Sequence, residues 1–145
     1  MVDDLYQETI LDHSKRPRNF HILADANRTA NGYNPLCGDK LKLYLKVEND
    51  VVVDASFEGC GCAISTASAS LMTESLKGKT KAEALGLLEK FHELLTKDQA
   101  STQDLGKLVV FCGVRDYPAR VKCATLAWHT LKSALNGTGE VATTE

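Results

Sequence analysis

The sequence predicts an α+β fold, in which helices cover one face of a small antiparallel β-sheet and a cysteine site lies at one end. The chain has 145 residues, enough for one domain to bury roughly two-thirds of the surface that its unfolded form exposes. Two alternating segments are typical of a β-hairpin, and three later segments have the spacing of helices. We expect a single domain over residues 1–145, with a disordered tail from about residue 138.

The N-terminal part is predicted to be a short helix followed by a long loop. The apolar residues Leu5, Ile10 and Leu11 precede Pro17, and the residue ahead of a proline disfavours helix. We therefore expect a helix that ends there and moves as an arm. Residues 19–36 have no sustained period and are rich in Asn, Gly and Pro, which indicates a long loop.

The centre of the chain predicts an antiparallel hairpin with one buried face. Residues 40–48 alternate strictly between polar and apolar side chains, and residues 51–58 repeat the alternation after Asn49-Asp50. The apolar positions of the first strand are Leu41, Leu43, Leu45 and Val47.

Three further helices are predicted after the hairpin. The first, from residue 63 to 77, begins with a run of small residues that allows close packing on the sheet. Thr80 and Glu83 match a capping box and open the second helix, and Pro118 suits the first turn of the last one, which ends before Gly137. Residues 108–111 are interpreted as either a strand or a short buried helical segment.

Charge and hydropathy exclude several classes of function. The net charge is −2 with both signs interspersed, so nothing favours binding to nucleic acid or to anionic lipid. The N-terminus is acidic and no long apolar run follows it, which argues against a signal peptide and a membrane span. We expect a cytoplasmic protein whose partners are neither nucleic acids nor membranes.

The cysteines are the strongest functional signal. Five cysteines in a reducing compartment favour metal binding or catalysis over a disulfide framework. Cys37 and Asp39 flank a glycine just before a strand, so a turn can aim both side chains the same way. Cys62 lies at a helix start, where unpaired backbone N–H groups and the helix dipole stabilise a thiolate. Cys123 lies on a small-residue face of the last helix, away from its apolar stripe.

Three thiolates and one carboxylate at one point suit more than one cofactor. They form a competent tetrahedral site for zinc. They can also hold an iron–sulfur cluster, which an aspartate ligand should make labile because such clusters are normally held by four thiolates. A purely structural zinc is a third interpretation. The spacing fits neither zinc fingers nor zinc deaminases.

Three segments carry a resemblance to a known family: NPLCGD at residues 34–39, GCAIS at residues 61–65 and RVKCA at residues 120–124. With them, from about residue 3 to 136, the chain resembles the U-type iron–sulfur cluster assembly family, which comprises IscU, SufU and the N-terminal part of NifU. The resemblance implies that Cys37, Asp39, Cys62 and Cys123 are the ligands.

Three features resemble the SufU branch of that family. Lys122 stands where the scaffold branch has a histidine, YPARV at residues 117–121 replaces its chaperone-recognition segment, and an extra helix-and-loop unit separates Cys62 from Cys123. In that branch the site holds zinc, and the first cysteine, here Cys37, accepts persulfide sulfur from a type II cysteine desulfurase. The resemblance implies no recognition by the scaffold branch's Hsp70-type chaperone.

The sequence leaves three functions open. The leading hypothesis is a zinc-dependent sulfur acceptor, sulfurtransferase-like rather than a conventional enzyme, that serves downstream iron–sulfur assembly proteins. The first alternative is a scaffold that assembles a labile [2Fe-2S] cluster or binds iron. The second is a non-catalytic zinc-binding interaction domain. The metal, the recipient of sulfur or cluster, and the oligomeric state are not determined by the sequence.

Four residues outside the ligand set are given secondary interpretations. Arg120, one helical turn before Cys123, neutralises local negative charge, docks a partner, or is simply a solvated arginine of the helix face. Lys122 is a second auxiliary residue. Cys60 is interpreted as a buried strand-end residue or, alternatively, as a spare thiol beside the site, and Cys112 as a core residue. The four histidines lack ligand spacing to the cysteines and are assigned to the surface or to packing.

Overall fold

The computed structural model describes residues 2–35, 38–97, 105–136 and 142–143. Within these ranges the chain confirms the predicted α+β class. The elements, in chain order, are α1 (Val2–Lys15), β1 (Arg28–Asn34), β2 (Asp39–Glu48), β3 (Val51–Cys60), α2 (Ala63–Leu76), α3 (Lys81–Thr96), a 3-10 helix (Gly106–Asp116), α4 (Pro118–Asn136) and β4 (Ala142–Thr143).

The strands form one sheet in the order β3-β2-β1-β4, in which β2 pairs antiparallel with both neighbours and β4 runs parallel to β1. The predicted hairpin is β2–β3. Its turn residues Asn49 and Asp50 have φ angles of 52° and 64°, as hairpin turns that match the strand twist require. Leu41, Leu43 and Leu45 are buried on one face, and Lys40 and Lys42 are exposed on the other.

Strand β1 corrects the prediction of a loop over residues 19–36. Its buried positions are Ala30, Gly32 and Asn34, so the sequence shows no apolar alternation. A Cβ atom added at Gly32 would lie 2.1 Å from Oγ1 of Thr130 and 3.1 Å from Cδ1 of Leu126. The strand is therefore buried by close contact of its backbone with α4, and large apolar side chains have no room there.

The helices cover the leucine face of the sheet and share an aromatic core. Trp128 stacks on Phe91 with ring centroids 4.6 Å apart, and Phe111 meets Phe91 edge-on at 5.6 Å. Phe111 belongs to the 3-10 helix, so the helical interpretation of residues 108–111 is confirmed and the strand interpretation is wrong. The capping box of Thr80 and Glu83 is present at the start of α3.

Helix α1 packs on α2, which corrects the expectation of a movable arm. His13 is buried, and its Nδ1 lies 2.6 Å from Oγ of Ser70. The same hydroxyl oxygen accepts the backbone N–H of Arg18 at 2.8 Å, and Nε2 of His13 lies 3.6 Å from Oε1 of Glu74. These polar contacts tie α1 and the segment after it to the middle of α2.

Two residues of the predicted tail, Ala142 and Thr143, pair with Gly32 and Tyr33 of β1. The rest of the tail, residues 138–141 and 144–145, lies outside the described residues. Among the helices that the structure describes, none combines the length and the hydropathy needed to cross a membrane.

Candidate metal centre

Three of the four predicted ligands meet at one end of the sheet. Asp39 is the first residue of β2, Cys62 immediately precedes α2, and Cys123 lies early in α4. One ligand atom from each residue lies within 4.8 Å of the other two. Cys37 lies outside the described residues, so its place as the fourth ligand stays a prediction.

Asp39 is fully buried, and its two carboxylate oxygens have different surroundings. Oδ1 accepts the backbone N–H of Cys62 at 2.8 Å, and Oδ2 lies 4.0 Å from Sγ of Cys62. Gly61 makes this contact possible, since a Cβ there would lie 2.6 Å from Oδ1 of Asp39. One oxygen therefore fixes the carboxylate against the backbone while the other faces the sulfur atoms.

Cys62 is the N-cap residue of α2, as the sequence predicts from its place at the helix start. Its Sγ accepts the backbone N–H of Ser65 at 3.4 Å, which satisfies one of the free donors of the first helical turn. The N–H donor and the positive end of the helix dipole both stabilise a thiolate. Cys62 is half-buried, whereas Asp39 and Cys123 are buried, so the cluster opens toward solvent on the side of Cys62.

Cys123 faces Asn34, the first residue of the NPLCGD segment, for which the sequence predicts no separate role at the site. Nδ2 of Asn34 lies 3.6 Å from Sγ of Cys123 and 3.4 Å from Oδ2 of Asp39. Asn34 is fully buried at the end of β1. The sequence signal for Asn34 is its place in the NPLCGD segment at residues 34–39, whereas its inward strand position has no local pattern.

The donor atoms and their spacing fit a metal. In a tetrahedral zinc site with Zn–S bonds of ~2.3 Å, two sulfur atoms lie about 3.8 Å apart. The 4.8 Å limit on the present distances is about one ångström longer, a difference that small side-chain rotations can close. Thiolates suit zinc and iron–sulfur clusters alike, so the donor set selects a class of soft metal site.

The secondary candidates are not among the residues that the structure groups at this centre. Arg120 is exposed, with its guanidinium carbon 5.3 Å from the ring centroid of Tyr117, and Lys122 is half-buried. Their auxiliary roles stay predictions. Cys60 is the exposed last residue of β3, so its interpretation as a buried residue is wrong. Cys112 is half-buried and packs against the core.

The outer face of the sheet forms an open groove of about 700 Å³ beside the centre. Exposed Lys40, Lys42 and Cys60 line it together with Glu58. The groove therefore brings lysine charge close to the end of the sheet that holds the ligands.

A known protein family matches nearly the whole chain, including every candidate ligand. The family model described as the NifU-like N terminal domain matches residues 5–135. The matched range includes Asp39, Cys62 and Cys123, and it also includes Cys37.

Two curated relatives have similar identities but different names. Over 135 residues the chain is 43% identical to the zinc-dependent sulfurtransferase SufU of Bacillus subtilis, covering 92% of this chain and 91% of that protein. Over 131 residues it is 44% identical to the iron–sulfur cluster assembly scaffold protein IscU of Thermotoga maritima, covering 90% and 92%. Sequence identity alone therefore does not decide between the sulfurtransferase and the scaffold protein that these relatives are named for.

Solved structures of similar proteins share the fold of this chain. A SUF-system protein from Fervidobacterium islandicum AW-1 matches with a TM-score of 0.84 and 40% identity, over 88% of this chain and 94% of that one. A NifU-like N-terminal protein from Brucella abortus matches with a TM-score of 0.83 and 27% identity, over 93% and 94%. The family resemblance predicted from the sequence is confirmed.

Proposed function

The chain belongs to the family of NifU-like N-terminal domains, and on that premise we propose that it accepts persulfide sulfur at Cys37 during iron–sulfur cluster assembly. The donor is a type II cysteine desulfurase, the setting is the cytoplasm, and the sulfur passes on to downstream iron–sulfur assembly proteins. Zinc is held by Cys37, Asp39, Cys62 and Cys123. The observation that carries the proposal is the convergence of Asp39, Cys62 and Cys123 within 4.8 Å.

The chain connection supports the assignment of Cys37 as the fourth ligand. Asp39 is buried at a fixed strand position, and two residues of chain span at most ~7 Å. Gly38 has a φ angle of 72° and donates its N–H to the carbonyl oxygen of Asn34 at 2.8 Å. The described residues on either side, Asn34 and Asp39, are paired across β1 and β2 beside the other candidate ligands.

Sulfur transfer to Cys37 needs no external oxidant. The Cys37 thiolate attacks the outer sulfur of the desulfurase persulfide, a new S–S bond forms, and the old S–S bond breaks with its electron pair going to the desulfurase cysteine. A bound zinc ion would supply positive charge that keeps cysteine ligands deprotonated at neutral pH. Meanwhile the backbone N–H groups of Cys62 and Ser65 hold Asp39 and Cys62 in place.

A scaffold that assembles a labile iron–sulfur cluster is the second candidate. It is supported by the 44% identity to a relative named as a scaffold, and the thiolate and carboxylate donors also suit a cluster. In this case the cluster is the cargo of the protein. A zinc-binding domain without sulfur transfer is the third candidate.

Mass spectrometry of the intact protein separates these candidates. Wild type, Cys37→Ser and Cys60→Ser are incubated with a type II cysteine desulfurase and cysteine, without reductant, and the metal content of each purified protein is measured. We expect wild type and Cys60→Ser to gain sulfur and Cys37→Ser to gain none, with stoichiometric zinc in the wild type. Bound iron and sulfide with a visible chromophore would favour the scaffold, and zinc without sulfur gain would favour the third candidate.

A further inference from the structure

The amide group of Asn34 lies between two candidate ligands. Its Nδ2 is 3.4 Å from Oδ2 of Asp39 and 3.6 Å from Sγ of Cys123, and all three residues are buried. We propose that Asn34 is a positioning residue of the metal centre, whose amide N–H groups orient the Asp39 carboxylate and the Cys123 thiolate for a metal. This inference rests on the proposed function in one respect, namely that Asp39 and Cys123 are ligands.

The strand register explains why Asn34 meets Asp39. The two residues are paired across β1 and β2, so their side chains leave the sheet on the same face. The other buried positions of β1 on that face are Ala30 and Gly32, which carry no polar side chain. A buried amide is costly unless it is hydrogen-bonded, and Asn34 points its donors at the two anionic groups.

The close contact between β1 and α4 explains why Asn34 also meets Cys123. Gly32 lies against Leu126 and Thr130, which follow Cys123 by three and seven residues and therefore share its helix face. Two residues further along β1, Asn34 reaches the preceding part of the same face. Gly32 thus brings the strand close enough to the helix for the Asn34 amide to contact the Cys123 sulfur.

The chemistry of an amide suits this place better than that of a charged or apolar side chain. The NH₂ group has two donors, one for each anion, and it carries no charge. Hydrogen bonds from the surroundings to metal ligands fix their orientation and tune their basicity, and losing such a partner typically weakens metal binding about 10–100-fold. An aspartate at position 34 would have nearly the same shape but would replace the donors with a third negative charge.

Cobalt(II) is the probe for the test, because thiolate-to-cobalt charge transfer and ligand-field bands report ligand identity and geometry. Co²⁺ is titrated into metal-free wild type, Asn34→Asp, Asn34→Ala and Asn31→Asp. Asn31 is exposed on the opposite face of β1, so Asn31→Asp is a charge-matched control on the same strand. We expect Asn34→Asp and Asn34→Ala to weaken Co²⁺ binding about 10–100-fold and to shift the ligand-field bands at saturation. Asn31→Asp should match the wild type in both respects.

The spectrum at saturation separates positioning from a purely structural role. A structural role alone would lower thermal stability and leave the bands of the cobalt-saturated variants unchanged, which would overturn the inference. Wild-type affinity and spectrum in Asn34→Ala would also overturn it, even if Asn34→Asp fails to fold. Absence of thiolate bands in the wild type would overturn both the inference and the proposed metal centre. Sulfur gain at Cys37 is measured without cobalt, so failure of the acceptor role is seen separately.

Discussion

The backbone N–H of Cys62 donates a 2.8 Å hydrogen bond to Oδ1 of Asp39, so one candidate ligand is fixed by the main chain of another. The bond joins the first residue of β2 to the N-cap residue of α2 across 23 positions of sequence. Oδ1 of Asp39 therefore has a structural role as a hydrogen-bond acceptor, and Oδ2 faces the sulfur atoms of the candidate ligands. Substitutions can separate the two.

Replacing Asp39 by alanine should destabilise the metal-free protein by about 1–3 kcal/mol, because it leaves the Cys62 N–H without its acceptor. Asp39→Asn keeps an acceptor oxygen, so its free energy of unfolding should fall clearly less. Urea unfolding in the presence of chelator measures both values. Equal losses in the two variants would show that the hydrogen bond contributes little. Both variants should bind zinc more weakly than the wild type, since each removes the carboxylate charge.

Gly61→Ala should disturb the centre by steric contact. The added Cβ would lie 2.6 Å from Oδ1 and 3.0 Å from Cγ of Asp39, so the carboxylate must move. We expect zinc affinity, measured against a competing chelator, to fall at least about 10-fold. Gly86→Ala is the matched control, because a Cβ there meets no atom within 4 Å and a helical alanine should add about 0.5–1 kcal/mol of stability. Unchanged zinc affinity in Gly61→Ala would contradict the described contact.

Gly32→Ala should destabilise the fold by about 1–3 kcal/mol through overpacking against Oγ1 of Thr130. The double variant Gly32→Ala/Thr130→Ala removes the obstructing oxygen and should recover part of the loss. Thermal unfolding of the wild type, both single variants and the double variant gives the coupling energy of the pair. Strictly additive effects would mean that the strand and the helix are not in the contact described.

The docking of α1 should weaken as the pH falls. Burial, with a smaller effect of the nearby Arg18 charge, holds the pKa of His13 below its ordinary value of 6.5. Below about pH 6.5 the unfolded chain takes up a proton that the folded chain does not, so the free energy of unfolding decreases until the folded pKa is reached. Burial and then His92 lower the pKa of His129, which adds a dependence of the same sign.

His13→Gln should therefore reduce this pH dependence without abolishing it. Urea unfolding at several pH values between about pH 7 and pH 5 measures the slope. Hydrogen exchange of α1 amides, compared between the wild type and His13→Gln, gives the local contribution of His13. The substitution should change exchange in α1 more than in α4. An unchanged slope in His13→Gln would show that His13 does not titrate differently in the folded and unfolded chains.

Removing the metal should leave the helices intact. The core of Trp128, Phe91 and Phe111 is formed by α3, α4 and the 3-10 helix, and the ring contacts that hold it together join these three side chains to one another. Circular dichroism of the chelator-treated protein should therefore retain its helical signal, with alkylation of Cys62 becoming faster. Broad loss of helix on chelation would instead indicate a structural metal, because binding to a site absent from the unfolded chain adds directly to stability.

The elements with a strong local signal were predictable from the sequence. The β2–β3 hairpin has an alternating pattern, and α3 begins at a capping box, so each was found close to its observed position. The ligands Asp39, Cys62 and Cys123 were predicted to meet, and the structure brings them together. Their residue types, and their positions beside predicted strands and helices, indicate that the three residues can meet at one site.

The remaining features depend on contacts that no local pattern shows. Strand β1 is buried by backbone contact at Gly32, so it lacks apolar alternation and its sequence predicts a loop. The inward position of Asn34 on that strand has no local pattern either. The docking of α1 depends on His13 meeting Ser70, which is 57 residues away in sequence, and a single histidine gives no sign of such a partner. Long-range polar contacts of this kind produce no periodic pattern in the sequence.

The register at the start of β2 limits where this chain can gain or lose residues. Asp39 shares a face with Leu41, Leu43 and Leu45, while Lys40 and Lys42 are exposed on the other. Because side chains alternate along a strand, one residue inserted or deleted between Asp39 and Leu41 would turn the carboxylate toward the lysine face. A change in the number of residues between Asn34 and Asp39 would leave both strands in register. Length variation at that connection should therefore preserve the pairing of β1 and β2 while changing the position of the proposed acceptor Cys37, and length variation immediately after it should disrupt the strand register itself.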